Sequence, residues 1–516
     1  MRAIVNGHVL DGTGAAERAL SVLIDGDRIV DLLPPGTTVD AELIDAQGNI
    51  VAPGFIDLHS HADFTVRTSP AATTQLHQGV TTVLTGNCGW SPFPITELDE
   101  LRTGAAFLGA QHDWSWRDTA GFAQGVTAAI NVALQVGHCT LRIAAMGSAK
   151  RPPSPEELRR MQDLLREAAD QGAVGFSTGL IYAPGAYADP AEVAALVATA
   201  AECGLLYSTH IRNEGTDLLQ ALDEAVTAAR AGGARLEISH LKAVGAPNHG
   251  LVAAALDQLD QARADGVDVT WDAYPYTATS TTLTTRLPIW AMDGGTLALL
   301  ARLNDPKTRD RITHALRTSD LFDPTAVVIA TLPPGRYFDA RGHSLAEIAQ
   351  ADNVDAAEAV CRVLEHHHAA VGVVNHAMSP EDVVTVLQHP CTSIASDGWI
   401  LDATGPGHPH PRNFGTFPRV LGHYTREQQV LTLPEAVRRM TGLPAARLGL
   451  TDRGVLKPGA VADVVVFNPD QIADRSTYAD PWQLSVGVEH VLVAGESVLA
   501  HGVPTGMQPG RVLTGS

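Results

Sequence analysis

From about residue 51 to residue 450, β-branched or apolar runs alternate with Ala-, Leu- and Glu-rich stretches, the pattern of parallel βα units. Eight runs read as strands: "FIDLH", "VTTVLTGN", "NVALQVG", "AVGFST", "LLYSTH", "LEISH", "VDVTWDA" and "TSIASD". Each is followed sooner or later by a helix-like stretch, and eight parallel strands close a barrel, so residues 51–450 are expected to form an α/β fold, a (β/α)8 TIM-like barrel. The spacing stretches out after the seventh run. Residues from about 277 to 370 hold long helical patterns of their own, which predicts an inserted lid segment that shapes access to the barrel mouth.

The two ends of the chain have a different texture. Residues 1–50 carry short strand patterns such as "MRAIVNGHVLDG" with Asn-Gly and Asp-Gly turns, and residues 451–516 repeat it in "GVLKPGAVADVVVFNP" and "VEHVLVAGESVLAHG". Such separated segments predict one small β-sandwich built from both termini.

Composition narrows the partners. The formal net charge is -21, from 57 acidic and 36 basic residues, and no Lys/Arg cluster tracks a phosphate backbone, so nucleic acid and anionic membranes are excluded as expected partners. No run approaches the roughly 18 apolar residues of a membrane span, and Met1–Asp11 alternates like a strand rather than a leader; a cytoplasmic protein is expected. The five cysteines, Cys88, Cys139, Cys203, Cys361 and Cys391, are few and odd in number, which argues against a disulfide framework.

Metal-competent side chains gather at strand ends. His59 and His61 end the first run, Cys88 follows the second, His210 and His240 end the fifth and sixth, and Asp397 ends the eighth. In a βα barrel these ends share one rim, where active sites are built. A lone strand-end histidine is usually an ordinary hydrogen-bonded residue; six such residues from five strands are harder to explain that way. Three protein ligands with one open position mark a catalytic zinc, and Cys88, His210 and His240 make that set. His59 and His61 flank Ser60 and project to one side of their strand. Asp397 is placed as general base by its position across the barrel. His77, His138 and His376 are read as structural, and the run beginning at His366 as a solvated helix face.

The stretches "APGFIDLHSHAD", "QGVTTVLTGNCGWSPFP", "GAVGFSTGLIYAPGAYA", "STHIRNEG", "EISHLKAVG", "WDAYPYTATST", "IASDG" and "HPHPRNFGTFPRVLG" together resemble the N-acyl-D-amino-acid deacylase (D-aminoacylase) branch of the amidohydrolase superfamily, over nearly the whole chain. The resemblance implies zinc-dependent hydrolysis of the amide bond of a small N-acylated D-amino acid. It implies one tight Zn2+ on Cys88, His210 and His240, a second, weaker metal position outlined by His59, His61 and Asp397, and Asp397 as catalytic acid and base. It further implies that Arg412 clamps the substrate carboxylate with help from Lys242 and Tyr274, and that Tyr182 and Ser280 lie near the substrate. The chain departs from the family pattern at Leu241, where a second His is common, and in a longer stretch between Asp397 and Arg412.

Two other readings stand beside this one. A cyclic amidase of the hydantoinase or dihydroorotase kind shares the barrel, but such enzymes use a carboxylated lysine on the fourth strand, and none of the four lysines, Lys150, Lys242, Lys307 and Lys457, lies in "AVGFST". A non-catalytic barrel would have lost ligands, whereas every expected ligand is present.

Overall fold

Runs that are buried on both faces have no reason to alternate polar with apolar, and the barrel strands follow this rule: Val80–Thr85 and Asn131–Gly137 are buried along their whole length. In the computed structural model, which describes residues 1–108, 114–319 and 321–514, all eight expected runs form strands. They are Phe55–Asp57, Val80–Thr85, Asn131–Gly137, Gly175–Gly179, Leu206–His210, Arg235–Ile238, Val269–Ala273 and Thr392–Ile394. They pair in parallel, each with its neighbour in sequence. Backbone bonds from Asp397 N to His59 O (2.8 Å) and from His61 N to Gly398 O (2.7 Å) bring the eighth strand's end against the first. The near-closed barrel therefore meets its own edge at the residues singled out for chemistry.

The crossover helices start where the sequence tells them to. Pro155–Asp170, Pro190–Glu202 and Pro380–Gln388 each begin on a proline, behind Ser154, Asp189 and Ser379, whose side chains accept from the first-turn amides. Ser154 and Glu157 add a reciprocal capping box. Polar side chains in the barrel form a chain of bonds: Gln135 Nε2 donates to Asn87 Oδ1 at 2.8 Å, and Ser208 Oγ donates to Gln135 Oε1 at 3.0 Å.

Between the seventh and eighth barrel strands lies a three-stranded antiparallel sheet of Thr279–Thr282, Gly372–Asn375 and Val327–Thr331, in that spatial order. Helices Gly295–Asn304, Pro306–Arg317, Leu345–Asp352 and Ala356–His366 pack on it around a separate apolar core. The terminal strands form one mixed nine-stranded sheet rather than two distinct layers, joined where Val464–Phe467 pairs antiparallel with Ile50–Pro53. Finally, Val512–Leu513 returns to lie parallel to Asn131–Gly137. Among the described residues no helix is long and apolar enough to cross a membrane.

The structural histidines behave as such. His77 bonds to Thr73 O at 2.8 Å, His138 is buried 2.8 Å from Glu192, and the His376 ring stacks edge-on against Tyr478. The run at His366 differs from the expected solvated face. It ends a helix, and His367 turns inward, its Nε2 accepting from Tyr337 N at 3.3 Å.

Candidate metal centre and substrate cleft

Three of the singled-out residues sit in a backbone conformation rare outside glycine: Cys88, His240 and Asp397 have φ of 55°, 39° and 51°. Each follows the end of a barrel strand by two or three residues, where the chain turns off the strand. Glycine follows Cys88 and Asp397. A Cβ on Gly89 would lie 2.7 Å from Gly179 N, so only glycine fits there.

Six side chains from five strands meet at this rim. Cys88 Sγ lies 3.4 Å from His59 Nε2, 3.5 Å from His240 Nε2 and 3.7 Å from His210 Nδ1. Asp397 Oδ1 lies 3.4 Å from His59 Nε2 and 3.2 Å from His61 Nε2. The donors fall into two overlapping groups, His59 with Cys88, His240 and Asp397, and His210 with Glu214 and His240, each with its atoms within 4.8 Å of one another. His240 is common to both. The division expected from the resemblance, with His59 apart from Cys88, is thus blurred: Cys88 touches imidazoles of both sets.

The spacing and the charges fit zinc. Two ligands on a tetrahedral zinc, sulfur at about 2.3 Å and nitrogen at about 2.0 Å, stand about 3.5 Å apart, which is the separation of Cys88 from its three imidazoles. Burial pushes the Cys88 thiol up, but the His59 and His240 imidazoles outweigh it and hold it well below its ordinary value, so it is a thiolate. Burial lowers His210, leaving a neutral ring with a free lone pair. For His61 the Asp397 carboxylate and Cys88 overcome burial and raise it to about 9; His59 is raised well above its usual value by Asp272, Cys88 and Asp397, again against burial. These protons balance anions that a divalent cation would balance by displacing them.

Groups behind the donors fix their rings. Asp272 Oδ2 is 3.3 Å from His59 Nδ1, and Asp272 Oδ1 accepts from His240 N at 2.8 Å, so one carboxylate orients two donors. Glu214 stands 3.1 Å from His240 Nδ1 and 3.5 Å from His210 Nε2, and accepts from Lys242 Nζ at 2.5 Å. Neither carboxylate was singled out from sequence. Asp272 is the next-to-last residue of the seventh strand, close to the rim where the other donors lie, and that placement was a usable signal. Glu214 follows His210 by four residues in a loop, where no periodicity marks it.

Of the substrate residues expected from the resemblance, Tyr182, Lys242, Tyr274 and Ser280 line a cleft of about 240 Å³ that borders the donors His210, His240 and Asp397, whereas Arg412 is not among its walls. Lys242 enters it already bonded to Glu214 and, at 2.7 Å, to His240 Nδ1. Tyr182 O–H meets Thr281 Oγ1 at 3.1 Å, its ring edge-on to His210. Arg412 is buried; its Nη1 donates to Asp397 Oδ2 at 2.7 Å and its Nη2 to Ser280 O at 3.4 Å, over the faces of Tyr274 and Trp399. Its Nε is buried with no acceptor among the described residues. Arg286, not anticipated from sequence, also faces the cleft.

A family model described as the amidohydrolase family matches residues 42–499. The chain belongs to the amidohydrolase family. Within this family it falls in the N-acyl-D-amino-acid deacylase branch. It is 39% identical to the N-acyl-D-glutamate deacylase of Alcaligenes xylosoxydans xylosoxydans, over 99% of this chain and 96% of that protein. The crystal structure of N-acyl-D-glutamate deacylase from Bordetella bronchiseptica, complexed with zinc and a phosphonate mimic of the tetrahedral intermediate, matches 100% of this amidohydrolase and 99% of that chain at 37% identity and a TM-score of 0.87. A D-aminoacylase described as having a binuclear metal centre, with one-metal activation and second-metal attenuation, matches with the same coverage at 34% identity and a TM-score of 0.84.

Proposed function

We propose that this amidohydrolase cleaves the amide bond of N-acyl-D-amino acids with acidic side chains, releasing a carboxylic acid and a free D-amino acid. The observation that carries the reading is the meeting of one thiolate, four imidazoles and one carboxylate at the mouth of the barrel, in a chain aligned end to end with deacylases. Cys88, His210 and His240 would hold the tighter zinc, with His59, His61 and Asp397 at a second, weaker position. Zinc bound there would supply a Lewis acid for the amide carbonyl and would acidify a water.

Asp397 is the proton carrier. Burial pushes its carboxyl up, but the Arg412 guanidinium and the His59 and His61 imidazoles outweigh burial and hold it well below the usual carboxylate range. It is therefore ionised, and as the anion at the rim it takes the proton of the attacking water and passes it to the departing amine nitrogen, help worth roughly 10² to 10⁴-fold. Arg412, with its Nε lacking an acceptor, offers a donor to the substrate α-carboxylate, and Lys242 and Tyr274 add a charge and a polar ring edge beside it.

Arg286 supports an acidic side chain. Among the described residues its guanidinium hydrogen-bonds only to the Thr285 hydroxyl, at 3.3 and 3.4 Å, and burial lowers its proton affinity against the pull of Tyr182 and Glu214, the direction expected of a cation with no hydrogen-bonded anion. A second carboxylate on the substrate would supply that anion. Purified enzyme should contain zinc and hydrolyse N-acetyl-D-glutamate faster than N-acetyl-D-leucine, N-acetyl-L-glutamate or a hydantoin, and Arg286→Leu should raise KM for the D-glutamate compound at least tenfold while sparing the D-leucine compound. Faster opening of the hydantoin ring would reverse the assignment.

A further inference from the structure

Beside the charged cleft lies a second cavity, of about 450 Å³, with apolar walls formed by Phe107, Leu108, Leu332, Phe338, Leu401 and Trp482. It shares Ser280 and Thr281 with the cleft, so both spaces border the first strand of the inserted sheet. Trp399 forms its wall toward the donors, with its ring 5.7 Å from that of His61. Arg341 also lines the cavity, but it is laid over the Phe338 ring at 3.6 Å and donates to Phe338 O, so its charge is committed. The volume lies within the range of about 300–1,000 Å³ that buries small ligands.

A scissile carbonyl held at the donors leaves two directions for the rest of the substrate. The amino-acid half carries the charges and is drawn toward Lys242, Tyr274 and Arg286 in the cleft and toward Arg412 over the Tyr274 ring. The acyl half is left the Trp399 side, which opens on apolar walls. We propose that this second cavity is an acyl subsite that takes straight-chain acyl groups of about six to eight carbons as well as acetyl, an inference that rests on the deacylase reading above. Each methylene buried there is worth up to about fourfold in binding.

The test compares N-acetyl- and N-octanoyl-D-glutamate in the wild-type zinc enzyme and in two variants that fill the cavity, Thr331→Trp and Leu401→Trp. Thr331 is exposed and Leu401 half-buried, and neither touches a donor. Wild-type kcat/KM for the octanoyl compound should fall no more than threefold below that for acetyl, and each folded variant should lose at least tenfold on octanoyl relative to acetyl. Octanoate should also inhibit acetyl hydrolysis by the wild type at least tenfold better than acetate does, a measurement that needs no variant. A steeper wild-type fall, equal loss on both substrates in the variants, or equal inhibition by the two acids overturns the subsite while leaving the deacylase reading in place. Failure to cleave either compound removes the deacylase reading and the subsite together.

Discussion

Left-handed backbone at Cys88, His240 and Asp397 is a cost of order 1–3 kcal/mol at each residue, which persists only where the surroundings over-determine it. Here the surroundings are hydrogen bonds: Asp272 holds the His240 amide, and His59 O holds the Asp397 amide. Replacing Asp397 by asparagine keeps the shape and these backbone bonds but removes the proton acceptor. Asp397→Asn should retain zinc at the tighter position, measured by elemental analysis, while kcat falls by 10² to 10⁴-fold; retained turnover would move the proton-transfer role elsewhere. At this scale the sequence was informative where a residue type and a strand end coincide, as with His59, Cys88, His210, His240 and Asp397. It was silent on Glu214 and Arg286, and although it named Lys242 as a substrate residue, it gave no sign of that side chain's bonds to Glu214 and His240, which exist only in three dimensions.

Elements were more legible than contacts. All eight barrel strands coincide with apolar or β-branched runs because strands buried on both faces must be built from such residues. The terminal strands were legible as strands and as partners in one small β unit, but the particular pairing of residues 50–53 with 464–467 was not, since it leaves no local mark. Helix starts were written in Ser-Pro and Asp-Pro pairs. At Pro155–Asp170 the Arg151 side chain and the Ser154 amide hold the Glu157 carboxyl down to about 2. A carboxyl lowered on folding stabilises the native state above its unfolded value of about 4.5, and that contribution is lost as pH falls toward 2. Glu157→Gln should therefore lower the melting temperature at pH 7, and its deficit against wild type should shrink progressively between pH 4.5 and 2. Ser154→Ala removes the cap itself and should cost about 1 kcal/mol at neutral pH. Thermal melts of the two variants across this range separate the titrating interaction from the cap.

For the whole molecule, the barrel seam and the metal donors are the same place. The first and eighth strands are joined at the rim by the amides and carbonyls of His59, His61, Asp397 and Gly398, so a cation held by their side chains also ties the barrel shut. Chelating the enzyme should increase hydrogen exchange first in residues 55–61 and 392–398 and only later in the outer helix Leu251–Ala264; uniform loosening would separate metal binding from barrel closure. The joining of the two chain ends has a consequence for biosynthesis. Ile50–Pro53 has one neighbour in the N-terminal strands and the other in Val464–Phe467, so on the ribosome its second edge stays open until more than four hundred further residues have been made. Through most of translation the nascent chain carries a bare, apolar strand edge, the kind of surface that chaperones cover and that neighbouring nascent chains can join.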